Sequence, residues 1–147
     1  MSDLAELYQA VILDHNNSPR NFRQMEEASH SATGHNPLCG DELTLYVDVQ
    51  DGMVKDVAFQ GQGCAISQAS ASLMTESIKG QSLAALEERF GKFHALVKGD
   101  SDDTDGLGKL AVFAGVREFP MRVKCATLGW HTLRGAISDS DSTISTE

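Results

Sequence analysis

The amino-acid sequence predicts an α+β domain in which several α-helices pack against one small antiparallel β-sheet. Three observations predict this class: a helical period near the N-terminus, a period-two segment interrupted by a tight-turn signal, and helical periods through most of the rest. The chain has 147 residues, of which 41% are hydrophobic, and this suffices for one compact core. No internal repeat or linker divides the sequence, so we expect one domain over residues 1–137 and a disordered polar tail over residues 138–147.

The first elements are predicted to be a helix and a β-hairpin. Apolar residues of the helix recur at i, i+3, i+4, i+7 and i+8, and Ser18-Pro19 ends it. They are Leu4, Leu7, Tyr8, Val11 and Ile12. Residues 21–42 have no sustained period and are expected to be irregular, with room for one short strand. A period-two strand then begins at Leu43, and Asp51-Gly52 supplies a hairpin turn before a second strand at Met53 to Gln60.

Four further segments with helical character follow the hairpin. The first is rich in Ala and Ser, which suits a helix packed tightly against a neighbour. Ser82 is expected to cap the next helix, and an acidic loop is expected at Gly99 to Gly106. The last two are expected at Leu107 to Val116 and at Cys125 to Ile137, since Phe119-Pro120 breaks the pattern between them.

The charge balance argues against several classes of partner. Lys and Arg number 12 against 21 Asp and Glu, which gives a formal net charge of -9. A surface for nucleic acid or for anionic membrane needs the opposite sign. The N-terminus carries acidic residues at helical spacing, unlike a secretory signal, and no apolar run approaches the ~20 residues of a membrane helix. We therefore expect a cytoplasmic protein whose three cysteines stay reduced.

Each of the three cysteines lies at a break in the apolar pattern. Cys39 is in a Pro-Leu-Cys-Gly turn, Cys64 follows Gly61-Gln62-Gly63, and Cys125 is at a predicted helix start. Helix N-termini favour thiolate over thiol, so Cys64 and Cys125 are suited to be ligands or nucleophiles. Asp41 lies two residues after Cys39, and one turn can aim both side chains at the same point. Three sulfurs and one oxygen match four-coordinate zinc. Three small buried hydrophobic side chains are the alternative interpretation.

The sequence around each cysteine resembles one known family. The three segments are Asn-Pro-Leu-Cys-Gly-Asp at 36–41, Gly-Gln-Gly-Cys-Ala-Ile-Ser at 61–67 and Arg-Val-Lys-Cys-Ala-Thr-Leu at 122–128. In this order they are similar to the SufU/IscU family of iron-sulfur cluster assembly proteins. Within that family the chain resembles the SufU branch, because Leu107 to Pro120 fits the insertion of that branch and Lys124 stands where the IscU branch has a metal-binding histidine.

The resemblance implies a function, a metal and partners. It implies a SufU/IscU-like fold with a metal site at one end, where Cys39, Asp41, Cys64 and Cys125 hold Zn²⁺. The implied activity is a zinc-dependent sulfurtransferase of SUF-type iron-sulfur cluster assembly, which takes persulfide sulfur from a SufS-like cysteine desulfurase and serves downstream SUF assembly proteins. Cys39 is the expected persulfide acceptor and Cys125 the second choice. The alternative is a scaffold on which iron or a labile iron-sulfur cluster is assembled and passed on.

Two other polar residues are weaker candidates. His131 has no same-face helical spacing from the last cysteine, and a surface or packing role is expected for it. Arg122 precedes the last cysteine by three residues. Pairing with Asp41, steering of a sulfur donor and an ordinary surface position all remain open for it.

Overall fold

The computed structural model describes residues 3–26, 28–36, 40–139 and 143–145. In chain order the elements are α1 (Asp3–Asn17), β1 (His30–Asn36), β2 (Asp41–Gln50), β3 (Met53–Gln62), α2 (Ala65–Ile78), α3 (Leu83–Lys98), a 3₁₀ helix (Gly108–Val116), α4 (Pro120–Asp139) and β4 (Thr143–Ser145). This order confirms the predicted α+β class. Within the described ranges, none of the helices has the length and apolar character needed to cross a membrane.

β2 and β3 form the predicted hairpin. Its turn residues, Asp51 and Gly52, have φ angles of +55° and +74°. Positive φ at both central positions is the geometry of the hairpin turn that an Asp-Gly pair favours. β1 pairs antiparallel with β2 along its full length, so that Asn36 lies opposite Asp41. β4 adds in parallel to the other edge of β1, and the strand order is β3-β2-β1-β4.

The core lies between one face of the sheet and the helices. Alternate side chains of β2 are completely buried, which confirms the period-two pattern. They are Leu43, Leu45 and Val47. Small residues let α2 and α4 approach closely: the Ser70 hydroxyl donates to the Ala126 carbonyl at 2.6 Å, and a Cβ on Gly129 would lie 3.3 Å from the Ala71 Cβ. The prediction of a tightly packed Ala- and Ser-rich helix is therefore confirmed.

α1 is joined to α2 by a buried set of polar contacts, which we call the histidine network. Its members are His15, Arg20, Asn21, Ser72 and Thr75. The ring nitrogen Nδ1 of the fully buried His15 lies 2.7 Å from Ser72 Oγ, which also accepts from the Arg20 backbone N–H at 2.8 Å. The Asn21 amide donates to Thr75 Oγ1 at 3.0 Å. Burial lowers the pKa of His15, so the neutral ring is favoured in the folded protein.

Two segments differ from the expectations of the sequence. α4 begins at Pro120 and not at Cys125, so the predicted helix start at Cys125 is wrong. Proline fits the first position of a helix, where its missing N–H is not needed. Pro120 therefore begins α4, whereas the sequence pattern predicts a break at this residue. Toward the C-terminus, α4 continues to Asp139 and residues 143–145 form β4, a pairing that polar composition does not predict. The division into one domain at 1–137 stays a prediction.

Candidate metal centre

Three potential ligands from distant parts of the chain meet at one end of the sheet. Asp41 opens β2, Cys64 immediately precedes α2, and Cys125 lies in α4. One ligand atom from each residue lies within 4.8 Å of the other two. Asp41 and Cys125 are buried and Cys64 is half-buried. We call these three residues the thiol cluster.

Asp41 is fixed by the backbone at the start of α2. Its Oδ1 accepts a hydrogen bond from the Cys64 N–H at 2.7 Å, and its Oδ2 lies 3.8 Å from the Cys64 Sγ. The approach requires a glycine before Cys64, because a Cβ on Gly63 would come within 2.5 Å of Asp41 Oδ1 and 2.7 Å of Ser67 Oγ. The Gly-Gln-Gly segment therefore brings the carboxylate to the start of the helix.

Cys64 occupies the N-cap position of α2, which confirms its predicted place at a helix start. Its pKa is lowered to about 6. The largest cause is a hydrogen bond from the neighbouring Cys125 thiol, and the N–H and hydroxyl of Ser67 act in the same direction. Burial and the negative charge of Asp41 oppose them. The carboxylate can accept from Cys64 only while it is a thiol, and it repels the thiolate.

Cys125 lies more than one turn inside α4, beyond the first turn where the helix dipole acts. A side-chain amide approaches its sulfur instead: Asn36 Nδ2 lies 3.5 Å from Cys125 Sγ. Both residues are buried, with 1% and 2% of their surfaces exposed. Asn36 is not among the residues that the sequence predicts for the site. A signal is present in the sequence, since Asn36 opens the segment that contains Cys39 and Asp41.

The thiol cluster fits a metal ion. Two thiolates held at about 2.3 Å from tetrahedral zinc lie about 3.8 Å apart, which is within the spacing seen here. When both thiols are deprotonated, three negative groups face one another in a largely buried space. A cation removes that repulsion, and two sulfurs with one oxygen are a donor set that Zn²⁺ accepts. The donor set alone does not decide between zinc and iron.

One predicted ligand and one neighbour of a ligand are treated separately from the thiol cluster. Cys39 lies outside the described residues. Lys124 directly precedes Cys125 in α4 and is half-buried. Among the described residues, no histidine belongs to the group that could hold a metal.

Arg122 and His131 have contacts of other kinds. The Arg122 guanidinium lies 4.5 Å from the ring centroid of the exposed Phe119, near the start of α4. This cation–π contact orients a positive charge at the surface. The His131 ring packs edge-on against Phe90, with centroids 5.5 Å apart. His131 therefore has the packing role that its spacing predicts.

The sequence matches a family model and proteins with assigned names. The model of the NifU-like N terminal domain matches residues 7–126. The iron-sulfur cluster assembly scaffold protein IscU of Thermotoga maritima is 39% identical over 131 residues, covering 89% of this chain and 92% of the relative. The zinc-dependent sulfurtransferase SufU of Bacillus subtilis is 37% identical over 141 residues, covering 95% of each chain.

Solved structures have the same fold. The SUF-system protein FiSufU of Fervidobacterium islandicum AW-1 superposes with a TM-score of 0.84 at 36% identity, over 90% of this chain and 97% of that one. The N-terminal part of a NifU-like protein from Brucella abortus has a TM-score of 0.83 at 25% identity, over 93% and 96% of the two chains. The predicted resemblance and the predicted fold are both confirmed.

Proposed function

Since the chain belongs to the NifU-like N-terminal domain family of iron-sulfur cluster assembly proteins, we propose that it is a zinc-dependent sulfur carrier. It accepts persulfide sulfur from a SufS-like cysteine desulfurase and delivers it to downstream SUF assembly proteins. The observation that carries this proposal is the convergence of one carboxylate and two thiols in the thiol cluster. We place this activity in the cytoplasm, where thiols stay reduced.

Cys39 completes the proposed ligand set. It precedes Asp41 by two residues, and two residues of extended chain span at most about 7 Å, so its backbone is tied to the vicinity of the thiol cluster. With Asp41, Cys64 and Cys125 it gives three sulfurs and one oxygen. A bound zinc ion would keep the cysteines deprotonated and shield them from oxidation without redox chemistry of its own.

The proposed transfer is a thiol–disulfide type of exchange. The acceptor thiolate attacks the terminal sulfur of the persulfide on the desulfurase. A new S–S bond forms on the acceptor while the S–S bond of the donor breaks, and the donor cysteine leaves as a thiolate. The terminal sulfur is thus transferred from the donor cysteine to the acceptor cysteine. No external oxidant or reductant is consumed.

Cys39 is the proposed acceptor because the other two cysteines are more restricted. Cys64 is anchored through its backbone N–H to Asp41, and Cys125 is 2% exposed inside a helix. Cys39 is followed by Gly40, whose φ of +71° lies in the region that glycine adopts readily. A sulfur that adjoins such a residue, in the segment between β1 and β2, is better suited to enter a partner's active site than a sulfur on a packed helix. Cys125 remains the second choice.

A cluster scaffold is the second candidate. It is favoured by the 39% identity to the scaffold protein IscU of Thermotoga maritima, because the same cysteines could hold iron. Lys124 favours the zinc carrier, since an ammonium group adjoins Cys125 in place of a histidine that could serve as a ligand. Purified protein distinguishes the two. A colourless protein with about one zinc per chain supports the carrier, and a brown protein with cluster absorption supports the scaffold.

The activity of a SufS-like desulfurase tests the proposed function. The turnover of cysteine is measured with the wild-type protein, with Cys39→Ala and with Thr104→Ala, an exposed loop variant that serves as a control. We expect stimulation by the wild type and by Thr104→Ala, and none by Cys39→Ala. Full stimulation by Cys39→Ala would contradict the assigned acceptor, and no stimulation by the wild type would contradict the sulfur carrier.

A further inference from the structure

We infer that Asn36 is a positioning residue that holds the Cys125 sulfur through an N–H···S hydrogen bond. In doing so it keeps Cys125 as a fixed ligand of low reactivity and leaves sulfur acceptance to Cys39. This role rests on the proposed function, but it concerns a residue outside the set of metal ligands and a contact that can be measured without the desulfurase.

The position of Asn36 is set by the sheet. It is the last residue of β1 and pairs with Asp41, the first residue of β2. The segment that contains Cys39 connects these two residues. The two ends of this connection are therefore attached to different helices, Asn36 through the Cys125 sulfur of α4 and Asp41 through the Cys64 N–H of α2.

α4 packs directly on β1, and this packing brings the Asn36 amide to the Cys125 sulfur. A Cβ on Gly34 would collide with the side chain of Thr132, so only a residue without a side chain allows this approach. Asn36 lies two residues further along the same face of the strand, and its amide meets Cys125. The helix cannot come this close to the strand without burying the amide against the sulfur.

The hydrogen bonding of the Asn36 amide indicates that it acts on the Cys125 sulfur and does not serve stability alone. Its Oδ1 is buried and has no hydrogen-bond partner in the described structure. A buried amide with an unpaired oxygen is less favourable than an apolar residue of the same size. Among the described residues, its one side-chain polar contact is the N–H toward Cys125 Sγ. Only the donor side of the amide is therefore in use in these contacts.

A hydrogen bond to sulfur has a definite chemical effect. A donor N–H stabilises negative charge on a thiolate and withdraws electron density, which reduces the attack of that sulfur on an electrophile. Cys64 has its donors within its own helix, the N–H and hydroxyl of Ser67, whereas the amide that meets Cys125 comes from β1. An Asn36 variant removes a donor from Cys125 and none from Cys64, so the reactivity of Cys125 should rise relative to that of Cys64.

Alkylation of the zinc-loaded protein tests this inference, because the metal keeps both sulfurs deprotonated. The rates at Cys64 and Cys125 with iodoacetamide are followed by peptide mass mapping in wild type, Asn36→Leu, Asn36→Ser and the control Thr33→Val. Thr33 bonds Thr44 on the sheet and has no described contact with the sulfurs. We expect Cys125 alkylation to rise about tenfold relative to Cys64 in both Asn36 variants and to stay unchanged in the control.

A measurement on the wild type keeps the test decisive when a variant does not fold. In protein loaded with ¹¹³Cd, the side-chain amide protons of Asn36 should show scalar coupling to the metal through the N–H···S contact. Absence of that coupling, or an unchanged Cys125 to Cys64 ratio in folded Asn36 variants, overturns the role of Asn36. These outcomes leave the proposed function standing, whereas a wild type that takes no sulfur from the desulfurase overturns the function and not the hydrogen bond.

Discussion

Helix α2 contributes to two buried polar clusters that are built differently. Near its middle, Ser72 and Thr75 belong to the histidine network, where a donor faces an acceptor in most contacts. At its N-terminus, Cys64 belongs to the thiol cluster, where a carboxylate and two thiols converge and all three can become negative. Both clusters join α2 to segments far away in the sequence.

The composition of the two clusters indicates a structural role for the histidine network and a metal-binding role for the thiol cluster. In the histidine network neutral donors and acceptors pair with one another, except that the buried His15 Nε2 has no hydrogen-bond partner among the described residues, and these contacts hold α1 against α2 without any ligand. In the thiol cluster the acidic groups repel one another once deprotonated, so the arrangement calls for a cation. Substitutions in the histidine network should therefore mainly change stability. Substitutions in the thiol cluster should mainly change metal binding.

Cys64→Ser should have the largest effect on metal binding. The variant removes one of the converging sulfurs, and a hydroxyl is a poor ligand for zinc, so the metal content should fall from about one per chain to almost none. Ser72→Ala, its control in the histidine network of the same helix, should bind metal like the wild type. Undiminished zinc at unchanged affinity in Cys64→Ser would remove this residue from the site.

Asp41→Ala should weaken the site without abolishing it. The carboxylate is the weakest proposed ligand, and water can replace it, so zinc should be retained but released about ten to a hundred times faster to a chelator. Glu42→Ala removes the adjacent, exposed carboxylate and is the matched control. Sulfur transfer should also change in Asp41→Ala. Equal chelator competition and equal transfer rates for the variant and the wild type would contradict a role for Asp41.

Cys64 should react at an unusually low pH in the metal-free protein. Its pKa is lowered to about 6, so its thiolate is present above that pH and is lost as the pH falls through about 6. At pH 7 the larger thiolate fraction raises the alkylation rate more than the lower intrinsic nucleophilicity reduces it. Cys64 should therefore be alkylated a few-fold faster than an ordinary thiol. Mass-mapped alkylation from pH 5 to 9 measures this. A midpoint near 9 for Cys64 would contradict the prediction.

His15 should make the protein sensitive to mild acid. Its pKa is lowered by burial, so the unfolded chain binds more protons than the folded one below the usual value of 6.5. The free energy of unfolding should therefore decrease as the pH falls below 6.5, by at most about 1.4 kcal/mol per pH unit for this group. Urea unfolding from pH 7.5 to 5 should give a flatter profile for His15→Gln than for wild type and the control His30→Gln. Parallel profiles for all three proteins would exclude this role of His15.

Local patterns in the sequence predict the parts of the fold that depend on near neighbours. Asp51-Gly52 identifies the hairpin because the turn requires positive φ at both residues. Ser82 identifies the start of α3, where its hydroxyl accepts from the Ala85 N–H as an N-cap. The sequence identifies Cys64 and Asp41 as candidate ligands because cysteine and aspartate at breaks in the apolar pattern already indicate metal-binding chemistry. These residues carry their own signal.

Contacts between distant residues carry no such signal. Asn36 and Cys125 are 89 positions apart, and only the packing of α4 on β1 brings the amide to the sulfur. His15 and Ser72 are 57 positions apart and meet only when α1 lies on α2. The sequence alone favours a break at Pro120 because proline also ends helices, and the tertiary structure decides which of its two roles applies.

Peptide mass mapping of the persulfide shows directly whether the thiol cluster belongs to a sulfur-transfer site at which Cys39 reacts. The wild-type protein is incubated with a SufS-like desulfurase and cysteine, and peptides containing Cys39, Cys64 and Cys125 are compared. If Cys39 is the acceptor, the Cys39 peptide gains the mass of one sulfur, and this gain is lost in Cys39→Ala. Added sulfur found only on the Cys125 peptide would exclude Cys39 as the acceptor and would assign the reaction to Cys125 in α4.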